Sequence, residues 1–413
     1  MDEIAATILA TPTASAHPLR IPYFRNLWIG TTVSMLGDQF YFVALPGLAL
    51  QIPGSGLALG TILMVAAIPR AAFMLMGGVL SDRISLRRIL LGTAGSRTVL
   101  VAAVAALVYS HAVRLWHLYV LGAAFGFADA FAFPAMQALI PALVATDQLA
   151  AANALMSGSM LFSMIGGPAP AGLIMKRWGI AWAFLVDALS FLFILVPLYW
   201  LPEARSSREH GQARKSVAHE LLEGIRYVLS DPALRSFLIL VAALNLALGG
   251  PLLVGLATIA KQRFSSPAAF GTLLSSLATG GLIGTLLPAI LKYRKRRGIT
   301  LLLVTTNLGI GMAVIGFLHH LLPIAIILFL VGLGNGFSNV NLITWFQARV
   351  DRALLGRVMS VLMFCAFGLL PISYAAAGAV AQINLTIMFA GSGVLAVTMA
   401  GLAGMNRAVR EID

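Results

Sequence analysis

The chain has 413 residues, of which 59% are hydrophobic and only 10% are charged, and its mean hydropathy is +0.91. An ordinary soluble domain carries about 25% charged residues, so this composition excludes a water-soluble enzyme or a free globular binding domain. The formal net charge is +13, which would favour a nucleic-acid partner only if the basic residues were gathered on a soluble domain.

An N-terminal segment, residues 1–25, precedes the first long apolar run. It has no apolar core ahead of its own arginines, Arg20 and Arg25, so it lacks the pattern of a cleaved signal peptide. The apolar run that begins near Asn26 is therefore expected to stay in the membrane as a helix. Apolar windows of about 20 residues then recur. Within residues 26–201 they predict six membrane helices, near 26–50, 57–80, 88–109, 115–137, 149–175 and 179–201.

The central polar stretch, residues 202–232, separates the two halves of the chain. Within it Val217, Leu221, Ile225 and Val228 recur at helical spacing, which predicts an amphipathic helix on the membrane surface. Residues 406–413 form a short polar tail. The second half, residues 233–405, again predicts six membrane helices, near 234–260, 267–291, 299–318, 321–346, 355–382 and 385–405.

The basic residues fall almost entirely on one side of these predicted spans. With both termini in the cytoplasm, the inner loops and tails contain most of the arginines and lysines, while the outer loops contain only Arg114, Lys176, Arg177, Lys261 and Arg263. This asymmetry follows the positive-inside rule, and the reversed orientation would violate it. The net positive charge therefore faces the cytoplasm and anionic lipid, and it needs no nucleic-acid partner.

The two halves also share loop signatures. A loop rich in basic residues follows the second helix of each half, after Gly78 in the first and after Ala289 in the second. Six helices, a cytoplasmic linker and six further helices predict a duplicated transporter. The expected fold class is an all-α membrane protein with twelve transmembrane helices in two pseudo-symmetric six-helix bundles.

The loop after the second helix resembles the loop motif of the major facilitator superfamily. Gly78, Asp82, Arg83 and Arg87 match the motif, whereas positions 85 and 86 depart from it. The resemblance implies the major facilitator fold. It also implies that Asp82 helps to lock the two bundles on the cytoplasmic side, partly against a helix N-terminus, which suits a carboxylate because that end of a helix is positive.

A second resemblance lies in the fifth helix, where Gly167, Pro168 and Gly172 are similar to a motif of drug:proton antiporters. Small residues at this spacing also serve ordinary close packing of helices, and both interpretations stay open. Residues 24–28, 34–38, 125–129, 149–155 and 223–227 extend the resemblance over nearly the whole chain. Together these segments resemble the bacterial branch that includes the enterobactin exporter and macrolide efflux proteins, which implies export of amphipathic small molecules across the inner membrane.

Five charged residues lie inside predicted spans. Inserting a charged side chain into the membrane costs on the order of 3 kcal/mol, so each of them needs a neutralising partner or a functional role. They are Asp38, Arg70, Arg97, Asp129 and Asp187. At about 1.5 Å per residue, the first four lie roughly 12–18 Å into the membrane from the cytoplasmic helix ends. A short loop joins the third and fourth helices, which favours a pair of Arg97 with Asp129 and leaves Asp38 with Arg70. Asp187, on the sixth helix, is expected to be structural, either snorkelling or hydrogen-bonded to a neighbour.

Two roles are open for the four charges at one level. They can form permanent ion pairs that pin the helices together. Alternatively, the family resemblance implies that the first and fourth helices line the central cavity, so that Asp38 and Asp129 face water and substrate. A partly desolvated carboxylate can carry a proton, and competition among substrate, arginine and proton for it would couple transport to a proton gradient.

The second half supplies amides instead of charges within its spans. Asn245 lies on the seventh helix, and Asn335, Asn339 and Asn341 lie on the tenth. Such residues either staple helices together or line a polar cavity. A cavity that is acidic on one side and amide-lined on the other suits an amphipathic substrate. The single cysteine, Cys365, offers no internal disulfide, and no metal site or cofactor is expected.

The function predicted from these residues is proton-coupled export of amphipathic small molecules, of the drug or siderophore class, by a monomer in contact with membrane lipid. A lysophospholipid or other lipid transporter of the same fold is the alternative. A membrane enzyme would need a His/Asp/Ser or metal constellation that the sequence does not offer. Nutrient uptake also stays open, because fold and orientation do not set the direction of flux.

Overall fold

The computed structural model describes residues 17–51, 55–81, 84–202, 217–291, 297–350 and 354–406, and within these ranges the regular secondary structure is entirely helical. The first half contains seven of the described α-helices. They are α1 (Pro22–Ala49), α2 (Ser55–Ser81), α3 (Leu86–Tyr109), α4 (Leu115–Leu143), α5 (Leu149–Gly166), α6 (Pro168–Trp178) and α7 (Ile180–Trp200).

The linker and the second half contain nine further α-helices within the described ranges. They are α8 (Val217–Ser230), α9 (Pro232–Gly250), α10 (Leu256–Phe264), α11 (Pro267–Leu291), α12 (Arg297–Ile315), α13 (Leu321–Arg349), α14 (Leu355–Phe367), α15 (Leu370–Ile383) and α16 (Leu385–Met405). A π-helical segment, Pro251–Gly255, joins α9 to α10.

Most of these helices are long and apolar enough to cross a membrane. Ten spans in the described residues meet that condition, and the bent pair α5 and α6 makes an eleventh. Helix α1 does not meet that condition, because it is 28 residues long but carries polar side chains, including Asp38 and Gln39. With α1 counted, each half of the chain contributes six membrane-spanning helices, as the sequence predicts.

The chain divides into two compact units. One holds Met1–Leu45 and Val65–Gln212, and the other holds Pro46–Met64 and Ala213–Asp413. In the first unit, buried apolar side chains of α1, α3, α4 and α7 form one cluster, for example Leu27, Leu86, Leu139 and Leu198. A second cluster joins α1, α4 and α5 around Phe24. These contacts fix the relative positions of the helices that carry the charged residues.

In the second unit, α11 and α13 approach each other closely along a row of glycines. A Cβ atom at Gly280, Gly284, Gly332 or Gly336 would overlap a main-chain carbonyl group of the facing helix. Small residues allow this backbone contact, and close packing is the main attraction between helices in lipid because both sides of the contact are apolar. In the first unit, Gly126 of α4 makes the same kind of approach to the carbonyl of Ala66 in α2.

Two spans are interrupted for identifiable reasons. The fifth span bends by 41° between α5 and α6, at Gly167 and Pro168. In the seventh span, Pro251 has no N–H group and cannot donate the usual helical hydrogen bond to the carbonyl of Ala247. The Ser392 hydroxyl donates to that carbonyl instead. The Ser373 hydroxyl accepts from the Gly250 N–H and donates to the Leu246 carbonyl. These side-chain hydrogen bonds satisfy main-chain groups that the π-helical turn would otherwise leave unpaired.

The linker helix α8 confirms the predicted helical periodicity but not the predicted surface position. Val228 is buried, and Ile225 packs with it against a core cluster that includes Phe237, Trp345 and Val358. The second unit itself covers the stripe at Ile225 and Val228, which contradicts a lipid-facing position there, and the side chains of Val217 and Leu221 lie outside the described residues.

Candidate functional site

Four helices of the first unit bring their charged side chains together. Asp38 lies on α1, Arg70 on α2, Arg97 on α3 and Asp129 on α4. Close helix packing places them. Gly126 lets α4 lie against α2 at Ala66, so Arg70 and Asp129 follow about one turn later on two adjacent helices. We call these four residues the charge cluster.

The charge cluster contains two short ion pairs and one longer contact. Nη2 of Arg97 lies 2.6 Å from Oδ1 of Asp38 and donates a hydrogen bond to it. Nε of Arg70 lies 3.1 Å from Oδ2 of Asp129. Nη1 of Arg97 is 4.0 Å from Oδ1 of Asp129, so this contact links the two pairs.

This geometry corrects the pairing predicted from the sequence. The short loop between α3 and α4 was expected to make Asp129 the partner of Arg97, but Arg97 is closer to Asp38, and Arg70 pairs with Asp129. Loop length constrains which helices are neighbours but not which way each helix is rotated about its axis. The prediction that all four charges lie together in one cluster is consistent with the observed contacts.

Aromatic rings surround the Arg97 guanidinium. Its Cζ atom lies 4.7 Å from the ring centroid of Phe125 and 4.4 Å from that of Phe191. Tyr41 stacks on Phe125, with centroids 4.7 Å apart and planes 7° apart. Ring faces attract a cation, so these contacts hold the guanidinium in place beyond its ion pairs. Phe and Tyr residues within spans give no sequence signal that separates such contacts from ordinary packing.

The four side chains of the charge cluster differ in exposure. The side chain of Arg70 is 46% exposed, whereas those of Asp38, Asp129 and Arg97 are 21%, 19% and 14% exposed. The two carboxylates are therefore neither sealed in the protein nor free in solvent. Carboxylates in such a setting are accessible to protons and to small cations while still being held by arginines.

Asp187, on α7, is the acid whose position differs most from the expectation. It is fully buried, so it does not snorkel, and neither carboxylate oxygen has a hydrogen-bond partner among the described residues. The nearby Ser190 hydroxyl donates to the main-chain carbonyl of Asp187 instead. Gly37 of α1 makes room for the acid, since a Cβ there would lie 3.1 Å from Oδ1 of Asp187. Burial excludes the predicted snorkelling, and a structural role for Asp187 stays a prediction.

The loop motif is described only in part. Gly78 lies in the last turns of α2, while Asp82 and Arg83 lie outside the described residues. Arg87 donates hydrogen bonds to the carbonyl oxygens of Leu198 and Tyr199 at the end of α7. A cation there donates to carbonyl groups in the last turn of the helix and suits the negative end of the helix dipole.

The fifth-span motif lies close to the charge cluster. A Cβ at Gly167 would be 2.5 Å from Cβ of Gln39, the neighbour of Asp38, so the glycine lets the break in the span approach α1. Pro168 and Gly172 are buried on α6. The motif therefore has a packing role in the structure, which leaves the antiporter interpretation a prediction.

The four asparagines predicted to line a cavity do not form a hydrogen-bonded group among the described residues. Asn245 donates to the carbonyl of Val241, and Asn341 donates to that of Phe337, each within its own helix. Asn335 and Asn339 are exposed on α13. A role for them in a substrate cavity stays a prediction.

Comparison with known proteins identifies the family. The family model described as the Major Facilitator Superfamily matches residues 27–375. The chain is 25% identical over 337 residues to the enterobactin exporter EntS of Shigella boydii serotype 18, a match that covers 82% of this chain and 80% of the relative.

Solved structures show the same fold. A bacterial homologue of the iron transporter ferroportin, in an inward-facing state, matches with a TM-score of 0.69 at 18% identity, covering 93% of this chain and 99% of the other. A bacterial homologue of the human lysosomal transporter Spinster matches with a TM-score of 0.71 at 13% identity, covering 96% and 98%. The helices, the loop motif and the family match agree, and the chain belongs to the major facilitator superfamily of membrane transporters.

Proposed function

We propose that the protein is a proton-coupled exporter of amphipathic small molecules that works by alternating access. The observation that carries the proposal is the charge cluster, in which two partly exposed carboxylates are each held by an arginine inside membrane-spanning helices. Charges in such positions are costly to bury, and in transporters they commonly serve ion or substrate pathways. The similarity to an enterobactin exporter supports export as the direction and a siderophore-like molecule as the substrate class.

The coupling follows from competition for the carboxylates. When Asp38 or Asp129 binds a proton, it loses its attraction for arginine, and when a substrate contacts the same carboxylate, it competes with both. A proton and a substrate that exclude each other at one site exchange across the membrane in opposite directions. Gly78, Asp82, Arg83 and Arg87 would then stabilise one of the two access states, and Asn245, Asn335, Asn339 and Asn341 would contact the polar parts of the substrate.

We also propose a location, an oligomeric state and a topology for the protein. It would lie in the bacterial inner membrane as a monomer with both termini in the cytoplasm, because the basic loops face that side in the predicted topology. Lipid surrounds the spans but is not the cargo.

Uptake into everted inner-membrane vesicles tests the proposal. With a proton gradient that is acidic inside, vesicles containing the protein should accumulate enterobactin or a lipophilic cation, and a protonophore should abolish the accumulation. Asp38→Asn and Asp129→Asn should each reduce it, whereas Asp147→Asn, a change at an exposed loop acid, should not. Accumulation that persists with the protonophore would refute proton coupling. Movement of labelled lysophospholipid in place of both probes would favour the lipid transporter.

A further inference from the structure

Asp187 differs from Asp38 and Asp129 because no basic group lies at ion-pair distance from it among the described residues. Asp38 and Asp129 each have an arginine nitrogen within 3.1 Å, whereas among the described residues Asp187 forms no ion pair within 4.0 Å. Its side chain is 0% exposed and both carboxylate oxygens lack a hydrogen-bond partner there. An ionised carboxylate in such surroundings is strongly unfavourable, whereas the neutral acid is tolerated.

The groups that face Asp187 come from two neighbouring helices. From α1 they are Asp38 and Tyr41, and from α3 the group is Arg97, all of which interact with Asp187 electrostatically. Gly37 brings α1 against Asp187 directly beside Asp38. Phe191, one turn after Asp187 on α7, lies against the Arg97 guanidinium. Asp187 is therefore next to the Arg97–Asp38 pair.

Arg97 has a hydrogen-bond donor available for a second acid. Its Nη2 atom is engaged by Asp38, but its Nε atom is buried and has no partner among the described residues. Both this N–H group and the Asp187 oxygens are thus unsatisfied in the same part of the first unit. Buried polar groups are usually hydrogen-bonded, so groups left unpaired together indicate an arrangement that changes during function.

We propose that Asp187 is a proton-binding site of the transport cycle and that Arg97 exchanges between Asp38 and Asp187 as the proton moves. This inference rests on the proton coupling proposed above. In the state described here, Asp187 holds the proton and Arg97 binds ionised Asp38. In the second state, the proton passes from Asp187 to Asp38, and Arg97 binds ionised Asp187. The number of protons and the net charge of the three groups are the same in both states.

The exchange links a sealed proton site to an accessible one. Asp38 is 21% exposed, so a proton that reaches it can leave to water, whereas a proton on Asp187 cannot. Release of Asp38 from Arg97 lets Asp38 accept the proton of Asp187, and once that proton has left to water, the ionised Asp38 can contact a substrate cation. Asp187 thereby holds the proton while Arg97 occupies Asp38, before the substrate binds.

Infrared spectroscopy of the purified protein tests the proton site without any substrate. At neutral pH the wild-type protein should show the C=O stretching band of a buried protonated carboxylic acid. Asp187→Asn should lose that band, and Asp147→Asn should keep it. If Asp187→Asn does not fold, Asp187→Glu should shift the frequency of the band. A band that persists in Asp187→Asn, or one that does not move in Asp187→Glu, would overturn the inference.

Transport in proteoliposomes with enterobactin as the probe separates this inference from the proposed function. If the proposed function holds, the wild type accumulates the probe under a pH gradient, and Asp187→Asn should reduce the accumulation ratio to the value found without a gradient. Absence of gradient-driven accumulation in the wild type would refute the proposed function. A coupled wild type with an equally coupled Asp187→Asn variant would overturn the inference about Asp187 alone.

Discussion

Arg97 has two carboxylates within reach and binds them unequally. Its contact with Asp38 is 2.6 Å and its contact with Asp129 is 4.0 Å, and only 14% of its side chain is exposed. Arg70, which pairs with Asp129, is 46% exposed. Solvent screens an exposed pair, so its net contribution is typically below about 1 kcal/mol, whereas breaking a buried pair typically costs about 3–5 kcal/mol. The Arg97–Asp38 pair should therefore contribute more to stability than the Arg70–Asp129 pair.

Two double-mutant cycles measure this difference. Arg97→Gln and Asp38→Asn should each lower the free energy of unfolding by about 3 kcal/mol, and the double mutant should recover much of that loss because no unpaired charge is left. The matched cycle with Arg70→Gln and Asp129→Asn should show a coupling energy below about 1 kcal/mol. Denaturant unfolding of the purified variants in detergent gives both values. Additive losses in the first cycle, or a larger coupling in the second, would contradict the geometry described here.

The pairing of individual charged side chains could not be predicted from the sequence. Residue counting from the helix ends placed Asp38, Arg70, Arg97 and Asp129 at one depth, because the rise of a helix per residue is nearly constant. Rotation of each helix about its axis is set by packing at glycines such as Gly37 and Gly126, and it decides which charges pair. The burial of Asp187 depends on the same contacts, so the sequence offered no signal for it.

At the scale of the helices, close approach at glycine positions the charge cluster. Gly126→Ala adds a Cβ that would overlap the Ala66 carbonyl, so α4 must move away from α2. We expect a loss of about 1–3 kcal/mol in the free energy of unfolding. Gly92→Ala on α3 is the matched control, since a Cβ there has no neighbour within 4 Å, and it should be neutral or stabilising by up to about 1 kcal/mol. Thermal unfolding compares the two variants, and equal stability would show that α2 and α4 are not in close contact.

The start of α9 depends on one side chain with two roles. Asp231 accepts from the N–H groups of Ala233 and Leu234 as an N-cap, and its Oδ2 lies 2.7 Å from Nε of Arg349. Partial burial raises the pKa of Asp231, but the hydrogen bonds from Arg349, Leu234 and Ala233 outweigh it, and the net pKa is lowered. A lowered pKa in the folded state stabilises the protein at pH values above the unfolded pKa of about 3.9, and this stability is lost as the pH falls.

Asp231→Asn keeps an oxygen for the cap, whereas Asp231→Ala removes the cap entirely. Asp231→Ala should lower the free energy of unfolding at pH 7 by about 1 kcal/mol. Asp231→Asn should lower it by less, because the pair with the exposed Arg349 contributes little. Unfolding curves of both variants at pH 7 and at pH 4 provide the measurement, with the wild type approaching Asp231→Asn in stability at the lower pH. An equal loss in the two variants would show that the ion pair, and not the cap, stabilises the start of α9.

The number and order of the apolar spans were the part of the fold that the sequence predicted best. Long apolar windows mark spans regardless of how they pack, and the predicted windows coincide with the helices apart from their ends and the breaks at Gly167, at Pro251 and between α14 and α15. The position of α8 was not predictable in the same way. An apolar stripe such as that of Ile225 and Val228 fits a lipid surface and a protein surface equally well, so only the packing against Phe237 and Trp345 decides.

At the scale of the whole molecule, the distribution of basic loops predicts the orientation. Reporter fusions after Arg88, Arg208 and Arg297 should report the cytoplasm, and fusions after Arg114 and Lys261 should report the outside, because arginine and lysine are retained on the cytoplasmic side. Enzymatic reporters active on only one side of the membrane provide the measurement. One reversed pair of fusions would contradict twelve spans with both termini inside.

Proton-coupled export requires that substrate movement and proton movement be obligately linked, and proteoliposomes with no imposed pH gradient provide the measurement. An outward gradient of enterobactin should drive protons into the vesicles, because exchange moves the two species in opposite directions, and a trapped pH-sensitive dye should report acidification of the lumen. Asp38→Asn should abolish the signal, and Asp147→Asn should leave it unchanged. Efflux of the substrate from wild-type proteoliposomes without acidification of the lumen would show that substrate movement and proton movement are not linked.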